Sequence, residues 1–317
     1  MSPQNQHNSH ALHRIYERPP SLVPAWSRAV TAGSKRPTLT ANGSQVHMPN
    51  LELELWPQRA DPGHLARYRR ICGFADDQHL PLTYPQVMAG PLHFHMLTDP
   101  QFPLPVAGLV HLANRIELTR PLRADDPLHF ACRFGPAQVT ARGVEFELLT
   151  QATVHGEPAW RSVLTILSRA VRDEVAAKAR SEQPKTAPTP LDGQSLRSLM
   201  LRVPGDIGRR YAAVAGDYNP IHLHLISAKL FGFPRAIAHG MWTFARSLAE
   251  ASDDLPRGPL HCDVRFSKPV HLPSTVQLRV SRLESGIGFA MSSRDGSLVH
   301  LSGQVTAVPN PTKPFAG

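Results

Sequence analysis

Apolar residues recur at every second position in Ser274–Arg282 and again in Ser297–Val308. That alternation predicts strands with one buried face. His239–Ser252 follows another rule: Met241, Phe244, Ala245, Leu248 and Ala249 fall at helical spacing, which predicts an amphipathic helix. The order of such patterns occurs twice. The first block runs Tyr68–Phe74, Leu80–Leu97 and Val110–Leu122, then strand-like stretches to Leu167; the second runs Tyr211–Asp217, Phe231–Leu248 and Leu260–Val270, then strands to Val308. In both blocks a Tyr precedes a Gly by five residues, Tyr68 to Gly73 and Tyr211 to Gly216. A duplicated unit explains this better than chance. Each unit predicts one central helix and a mostly antiparallel sheet, an α+β architecture, and pairing the two sheets edge to edge would remove an exposed strand edge.

Two breaks frame the units. Residues 1–50 hold Glu17 as their sole acid and are rich in Pro, Ser and Asn, which predicts a loosely ordered extension, with short helices at His13–Arg18 or Pro24–Ala32 as options. Arg172–Gln194 is charged and then rich in Pro and Thr, a linker composition. The expected units are therefore 51–171 and 195–317, joined by 172–194.

Composition narrows the function. Of 317 residues, 41% are hydrophobic and 19% charged, enough apolar material for two packed domains. No apolar run is long enough to span a bilayer, and the first residues lack the apolar stretch of a secretory signal. Cys72, Cys132 and Cys262 lie far apart, so a reducing, cytoplasmic setting is expected rather than a disulfide framework. The net charge of +9 is scattered, without a nucleic-acid-binding motif; no nucleic-acid partner is expected. A positive surface would still concentrate a polyphosphate ligand.

The chemistry concentrates in Gly216-Asp217-Tyr218-Asn219-Pro220-Ile221-His222, followed by Ser227-Ala228 and by Ala238-His239-Gly240-Met241. A carboxylate and an imidazole five residues apart, with Pro220 forbidding a continuous helix between them, can be aimed at one point. Gly240 opens the predicted helix, where unpaired N–H groups offer donors to a developing anion. His222 and His224 lack a companion carboxylate or cysteine cluster, so no metal and no other cofactor is expected.

These residues resemble the signature of MaoC-like, (R)-specific enoyl-thioester hydratases, in their double hot-dog form. The resemblance implies two antiparallel sheets, each wrapped round a central helix. It implies reversible, metal-independent hydration of trans-2-enoyl-CoA or enoyl-carrier-protein thioesters to (R)-3-hydroxyacyl thioesters. Asp217 and His222 would flank the attacking water, Asn219 would hold the turn or the substrate carbonyl, and the Gly240 N–H would be the oxyanion donor. Tyr218, Pro220, His239, Arg235 and Lys268 are the substrate-binding candidates, with Arg265 also near in sequence. The first block carries Phe74 in the place of Asp217 and has no Asn-Pro; only His79 falls opposite His222. It is expected to be non-catalytic, contributing sheet edge and acyl-chain space around Met88, Gly90 and Leu92. A homodimer is compatible with this reading. A hot-dog thioesterase, or a non-catalytic thioester-binding subunit, is the alternative.

Overall fold

A computed structural model describes residues 12–22, 25, 46–106, 108–140, 142–169 and 193–308. Eleven strands form one continuous sheet in the order β1-β2-β4-β5-β6-β3-β8-β11-β10-β9-β7. In the first half these are β1 (Leu12–Tyr16), β2 (Leu51–Gln58), β3 (Leu109–Leu118), β4 (Leu128–Thr140), β5 (Gly143–Val154) and β6 (Glu157–Ser168). The second half supplies β7 (Gln194–Val203), β8 (Leu260–Phe266), β9 (Ser274–Leu283), β10 (Gly286–Ser293) and β11 (Val299–Ala307). Leaving β1 aside, the two halves are mirror images in strand order. They meet where β3 pairs antiparallel with β8, from Ala113↔Arg265 to Leu118↔Leu260. This is the edge-to-edge union expected from the duplication.

The alternation of the sequence is the alternation of burial. Val276, Leu278 and Val280 of β9 face inward and are fully or nearly fully buried, as are Leu128, Phe130 and Cys132 of β4. Each sheet curls round a helix. In the second half this is α6 (Gly240–Glu250), whose Phe244 and Leu248 are fully buried, with the Phe244 ring 6.0 Å from that of Phe289 on β10. In the first half the expected single helix is two short ones, α2 (Tyr84–Met88) and α3 (Gly90–Leu97). Pro91 lies in the first turn of α3, where its missing N–H and its ring fit a helix start and disfavour an unbroken helix through Ala89.

Two further helices pack against each other at the seam. These are α1 (Pro62–Cys72) and α4 (Ile207–Ala215), with Tyr68 and Tyr211 ring centroids 6.3 Å apart. Among the described residues the other α-helix is α5 (Leu225–Leu230).

One expectation fails outright. His13–Arg18 is not helical: Leu12–Tyr16 is β1, which pairs parallel with β2 from Leu12↔Leu51 to Tyr16↔Leu55. A strand edge elsewhere in the chain, together with a 2.8 Å bond between His13 and Glu54, overrides a weak local preference. Most of Pro24–Ala32, and the linker Arg172–Gln194 apart from its end, lie outside the described residues; Gln194 already opens β7.

Candidate active site

Helix α4 stops at Gly216, whose φ of 71° is left-handed and suits glycine. The chain then turns through Asp217 to Asn219. The Asn219 N–H donates to Asp217 Oδ1 at 3.1 Å, and the Asn219 side chain accepts from the Ile221 N–H at 3.4 Å. Asn219 thereby caps a 3₁₀ turn, Pro220–His222. Of the two roles expected for Asn219, the geometry shows the turn-holding one. His222 and His224 do not share one face of a strand: His222 is buried in the 3₁₀ turn, and His224 is exposed at the start of α5.

His222 Nδ1 bonds the Ile237 carbonyl at 2.9 Å. A carbonyl can only accept, so Nδ1 carries the proton and Nε2 keeps the lone pair of a base. The Ile237 N–H in turn donates to Ile221 O at 3.1 Å, and the Ala238 N–H to Val270 O at 2.9 Å, which ties the turn to the chain leading into α6. His239 is 3% exposed. Its ring stacks on that of His222, with centroids 3.7 Å apart and planes at 26°, and its Nε2 donates to Asp217 O at 2.9 Å. The Asp217 carboxylate lies 3.7 Å from the same nitrogen.

Asp217 is crowded by protein, yet 54% of its side chain is accessible to water. It is therefore open to water rather than part of the core. Desolvation pushes its carboxyl pKa up. His239, His222, the Asn219 N–H and His111 pull it down by more, so the group lies below the ordinary carboxylate range. Burial lowers the pKa of His222 against the opposing pull of Asp217 and Ile237 O. Burial, with His222 alongside, lowers His239 to about 3. At neutral pH the arrangement is an ionised carboxylate beside two neutral imidazoles.

Gly240 starts α6, and a Cβ there would lie 3.2 Å from the Phe266 ring. No side chain caps this helix, which leaves N–H groups of its first turn without a side-chain acceptor. Asp217, His222 and His239 are, among the described residues, the group whose ligand atoms all lie within 4.8 Å of one another. They are thus the residues that could hold a metal. The two imidazoles are stacked, however, and an ion within about 2.1 Å of a nitrogen on each would lie far out of at least one ring plane. His222 Nδ1 and His239 Nε2 are already committed to carbonyls. The geometry suits proton transfer better than ligation.

Other expected residues are placed differently. Tyr218 is 44% exposed at the edge of the turn. Arg235 and Lys268 are exposed, and Arg235 reaches the Pro273 carbonyl at 3.4 Å. His239 was expected to bind substrate, but its ring is buried and spent on Asp217. Gly90, expected beside acyl-chain space, packs against the end of α4: a Cβ on it would lie 3.4 Å from the carbonyl of Ala215, two residues before Asp217. His79 does not occupy the place of His222. It forms an isolated bridge to Arg123, as Ile237 does to His271, because the path from Gly73 to His79 is much shorter than that from Gly216 to Ile237.

Sequence reasoning missed two residues of β3. His111 of the first half influences the Asp217 charge and sits 4.8 Å from the Phe266 ring. Asn114, 1% exposed, accepts from Ser162 Oγ at 2.7 Å and donates to Met241 Sδ in the first turn of α6 at 3.5 Å. The available signal was weak, since β3 carries His111 and Asn114 among other polar residues, Arg115 and Glu117.

Residues 178–303 match the family described as MaoC like domain. Over 258 residues the chain is 33% identical to 3-hydroxyacyl-thioester dehydratase X of Mycobacterium tuberculosis (strain ATCC 25618 / H37Rv), spanning 81% of this chain and 90% of that protein. A crystal structure of HtdX from Mycobacterium tuberculosis superposes with a TM-score of 0.69 at 33% identity, over 80% of this chain and 99% of that one. A MaoC-like dehydratase from Phytophthora capsici shares the fold, at 17% identity and a TM-score of 0.64, over 83% of this chain and 97% of that one. No helix among the described residues is long and apolar enough to cross a membrane. The chain belongs to the MaoC-like dehydratases, hydro-lyases of the double hot-dog fold.

Proposed function

We propose that the protein interconverts trans-2-enoyl thioesters and (R)-3-hydroxyacyl thioesters, with Asp217 and His222 as its acid–base pair. The observation that carries this reading is the meeting of an accessible Asp217 carboxylate with the His222 imidazole, bonded through Nδ1, their ligand atoms within 4.8 Å of one another, where the N-cap His239 leaves the start of α6 uncapped. In the hydration direction, water attacks the β-carbon and a new C–O bond forms. The π electrons move towards the thioester oxygen, which the Gly240 N–H stabilises. The pair takes the proton from water and returns one to the α-carbon, so atoms and charge balance without a metal. Delivery of OH and H from one side gives syn addition and a single configuration at the β-carbon.

The similarity to a relative named for 3-hydroxyacyl-thioester dehydration supports the thioester as substrate, carried by coenzyme A or a carrier protein. Three buried, unpaired cysteines support a reducing cytoplasm as its setting. The test is turnover of crotonyl-CoA and longer enoyl-CoAs, following 3-hydroxyacyl product and its chirality alongside free thiol. Formation of the (R)-3-hydroxy product without thiol release is expected. Thiol release would make the protein a thioesterase, and neither product would leave it a binding subunit.

A further inference from the structure

Helix α6 has an N-cap residue that does not cap. His239 holds that position with φ −64° and ψ 137°, the extended conformation from which Ser, Thr, Asp or Asn accept a hydrogen bond from the second or third helical N–H. Its side chain makes no such bond. The imidazole is instead held between the ring of Tyr211, 5.0 Å away, and that of His222 at 3.7 Å. Its Nε2–H is given to the backbone carbonyl of Asp217 at 2.9 Å, and its Nδ1 is buried with no partner at all. Buried polar atoms are almost always paired, so an orphan beside a reactive cluster calls for a reason.

The orientation supplies one. A ring turned towards Asp217 fixes the backbone of the carboxylate and backs the ring of His222. In this orientation it makes no bond to the N–H groups of Met241 and Trp242. Each of the four favoured cap residues would do the reverse, filling the start of α6 with an oxygen and leaving Asp217 unheld.

We infer that His239 is a positioning residue that clamps Asp217 and His222 while keeping the N-terminus of α6 open for the substrate oxygen. This rests on the hydratase reading. It assigns His239 no proton to transfer and no direct contact with substrate.

Two conservative substitutions separate the parts of the role. In His239→Gln the amide nitrogen reaches close to where Nε2 stood, so the bond to Asp217 O is kept. In His239→Asn the shorter amide cannot reach Asp217 but is a favoured cap. With crotonyl-CoA as probe, His239→Gln should retain kcat to within about tenfold and keep the wild-type pH profile. His239→Asn should lose roughly 100-fold in kcat, the scale of a misplaced reacting group once Asp217 is no longer held, with KM changed about threefold or less. Amide hydrogen exchange adds a readout independent of activity. The Met241 and Trp242 N–H groups should exchange at least about tenfold more slowly in His239→Asn than in the wild-type protein or His239→Gln.

Equal kcat in the two variants would reduce His239 to packing and overturn the proposal. So would wild-type Met241 and Trp242 amides as protected as those of His239→Asn. Loss of all activity in His239→Gln, with one limb of the pH profile gone, would make His239 a proton carrier instead. A wild-type protein that does not hydrate crotonyl-CoA or any longer enoyl-CoA would sink the hydratase reading, whereas the exchange rates would still decide whether His239 keeps the helix uncapped.

Discussion

Helices α1 and α4 end alike, at Gly73 with φ 88° and at Gly216 with φ 71°, and the chain then leaves them in opposite manners. After Gly216 comes Asp217, facing water beside two histidines. After Gly73 comes Phe74, whose ring stacks on Tyr68 with centroids 6.3 Å apart. The contrast is repeated at the central helices. In the second half the N-cap His239 leaves the first turn of α6 uncapped. In the first half the Tyr84 N–H is taken by Pro81 O at 2.8 Å, Pro85 has no N–H to offer, and the cap residue Thr83 is bonded to Tyr68 OH at 2.7 Å. One half has kept a carboxylate and open donors. Its copy has replaced the first with an aromatic ring and has fewer donors at the second, since the Tyr84 N–H is taken and Pro85 has none, although Thr83 like His239 makes no side-chain cap bond.

The difference lies in four or five residues, not in the fold, so it can be broken by small changes. The largest effects should follow from removing the pair. Asp217→Asn and His222→Gln should each lower kcat for enoyl-CoA hydration by at least ~100-fold, the low end for a positioned acid or base. Thermal unfolding should be little changed for Asp217→Asn, whose side chain is largely accessible. Near-normal turnover in a folded Asp217→Asn protein would remove the carboxylate from the mechanism.

Next in size is Gly90→Leu. From the sequence it belonged to acyl-chain space, where a bulky residue would penalise long substrates alone. Its place against Ala215 O gives another outcome: the leucine pushes on the turn that carries Asp217. A displacement of about 1 Å at a reacting group costs up to ~100-fold, so kcat should fall roughly 10- to 100-fold for crotonyl-CoA and long enoyl-CoAs alike. A penalty confined to long chains would restore the tunnel.

Much of this was legible in the chain. The Tyr-to-Gly spacing announced the duplication, alternation marked β9 and β11, and Asp217 to His222 read as one turn because Pro220 cannot continue a helix. What escaped was non-local. Strand β1 exists because β2, far along the chain, offers an edge. The break at Pro91 depends on where a helix restarts, which periodicity does not register. His111 and Asn114 reach the site because β3 pairs with β8, and no spacing in the first half points to residues in the second. His239 sat in plain view within the motif, but whether its ring faces substrate or Asp217 is a question of rotamer.

Both halves bury a neutral histidine, and pH should expose that likeness. Burial, with His111 nearby, lowers His93 on α3 to about 3; burial lowers His239 to about 3 as well. Below pH 6.5 the unfolded chain binds a proton at each of these sites, while the native protein binds none until near pH 3. Stability must therefore fall as pH falls through that window, by up to about 1.4 kcal/mol per pH unit for each such group. His93→Gln should remove one proton from the slope between pH 6.5 and 4.5, measured by denaturant unfolding. Its kcat at pH 7.5 should stay within a few-fold of wild type, because no proton transfer runs through α3. An unchanged slope would mean that His93 titrates in the native protein.

The smallest effect should come from His79→Ala, the substitution at the one histidine that the duplication aligned with His222. His79 bridges to Arg123, and its ring, 40% accessible, sits 3.3 Å from an Asp77 carboxylate that is 60% accessible. Such surface pairs contribute about 0–1 kcal/mol. What does hold this segment is the buried Arg69 guanidinium, which donates to the backbone carbonyls of Asp77 and His79 and to Asp76. Those carbonyls remain when the side chain is cut back to alanine. Turnover in His79→Ala should therefore stay within two- to threefold of wild type, and the unfolding midpoint should move by no more than a surface pair allows. Arg69→Leu is the control for the same segment. It removes the donor to two backbone carbonyls and should destabilise the protein by about 1–3 kcal/mol, the scale of an unsatisfied backbone group, while the Asp76 carboxylate, 95% exposed, returns to water. If His79→Ala instead lost activity on the scale of His222→Gln while folding normally, the first half would hold a second acid–base group, and the division of labour drawn at Gly73 and Gly216 would be wrong.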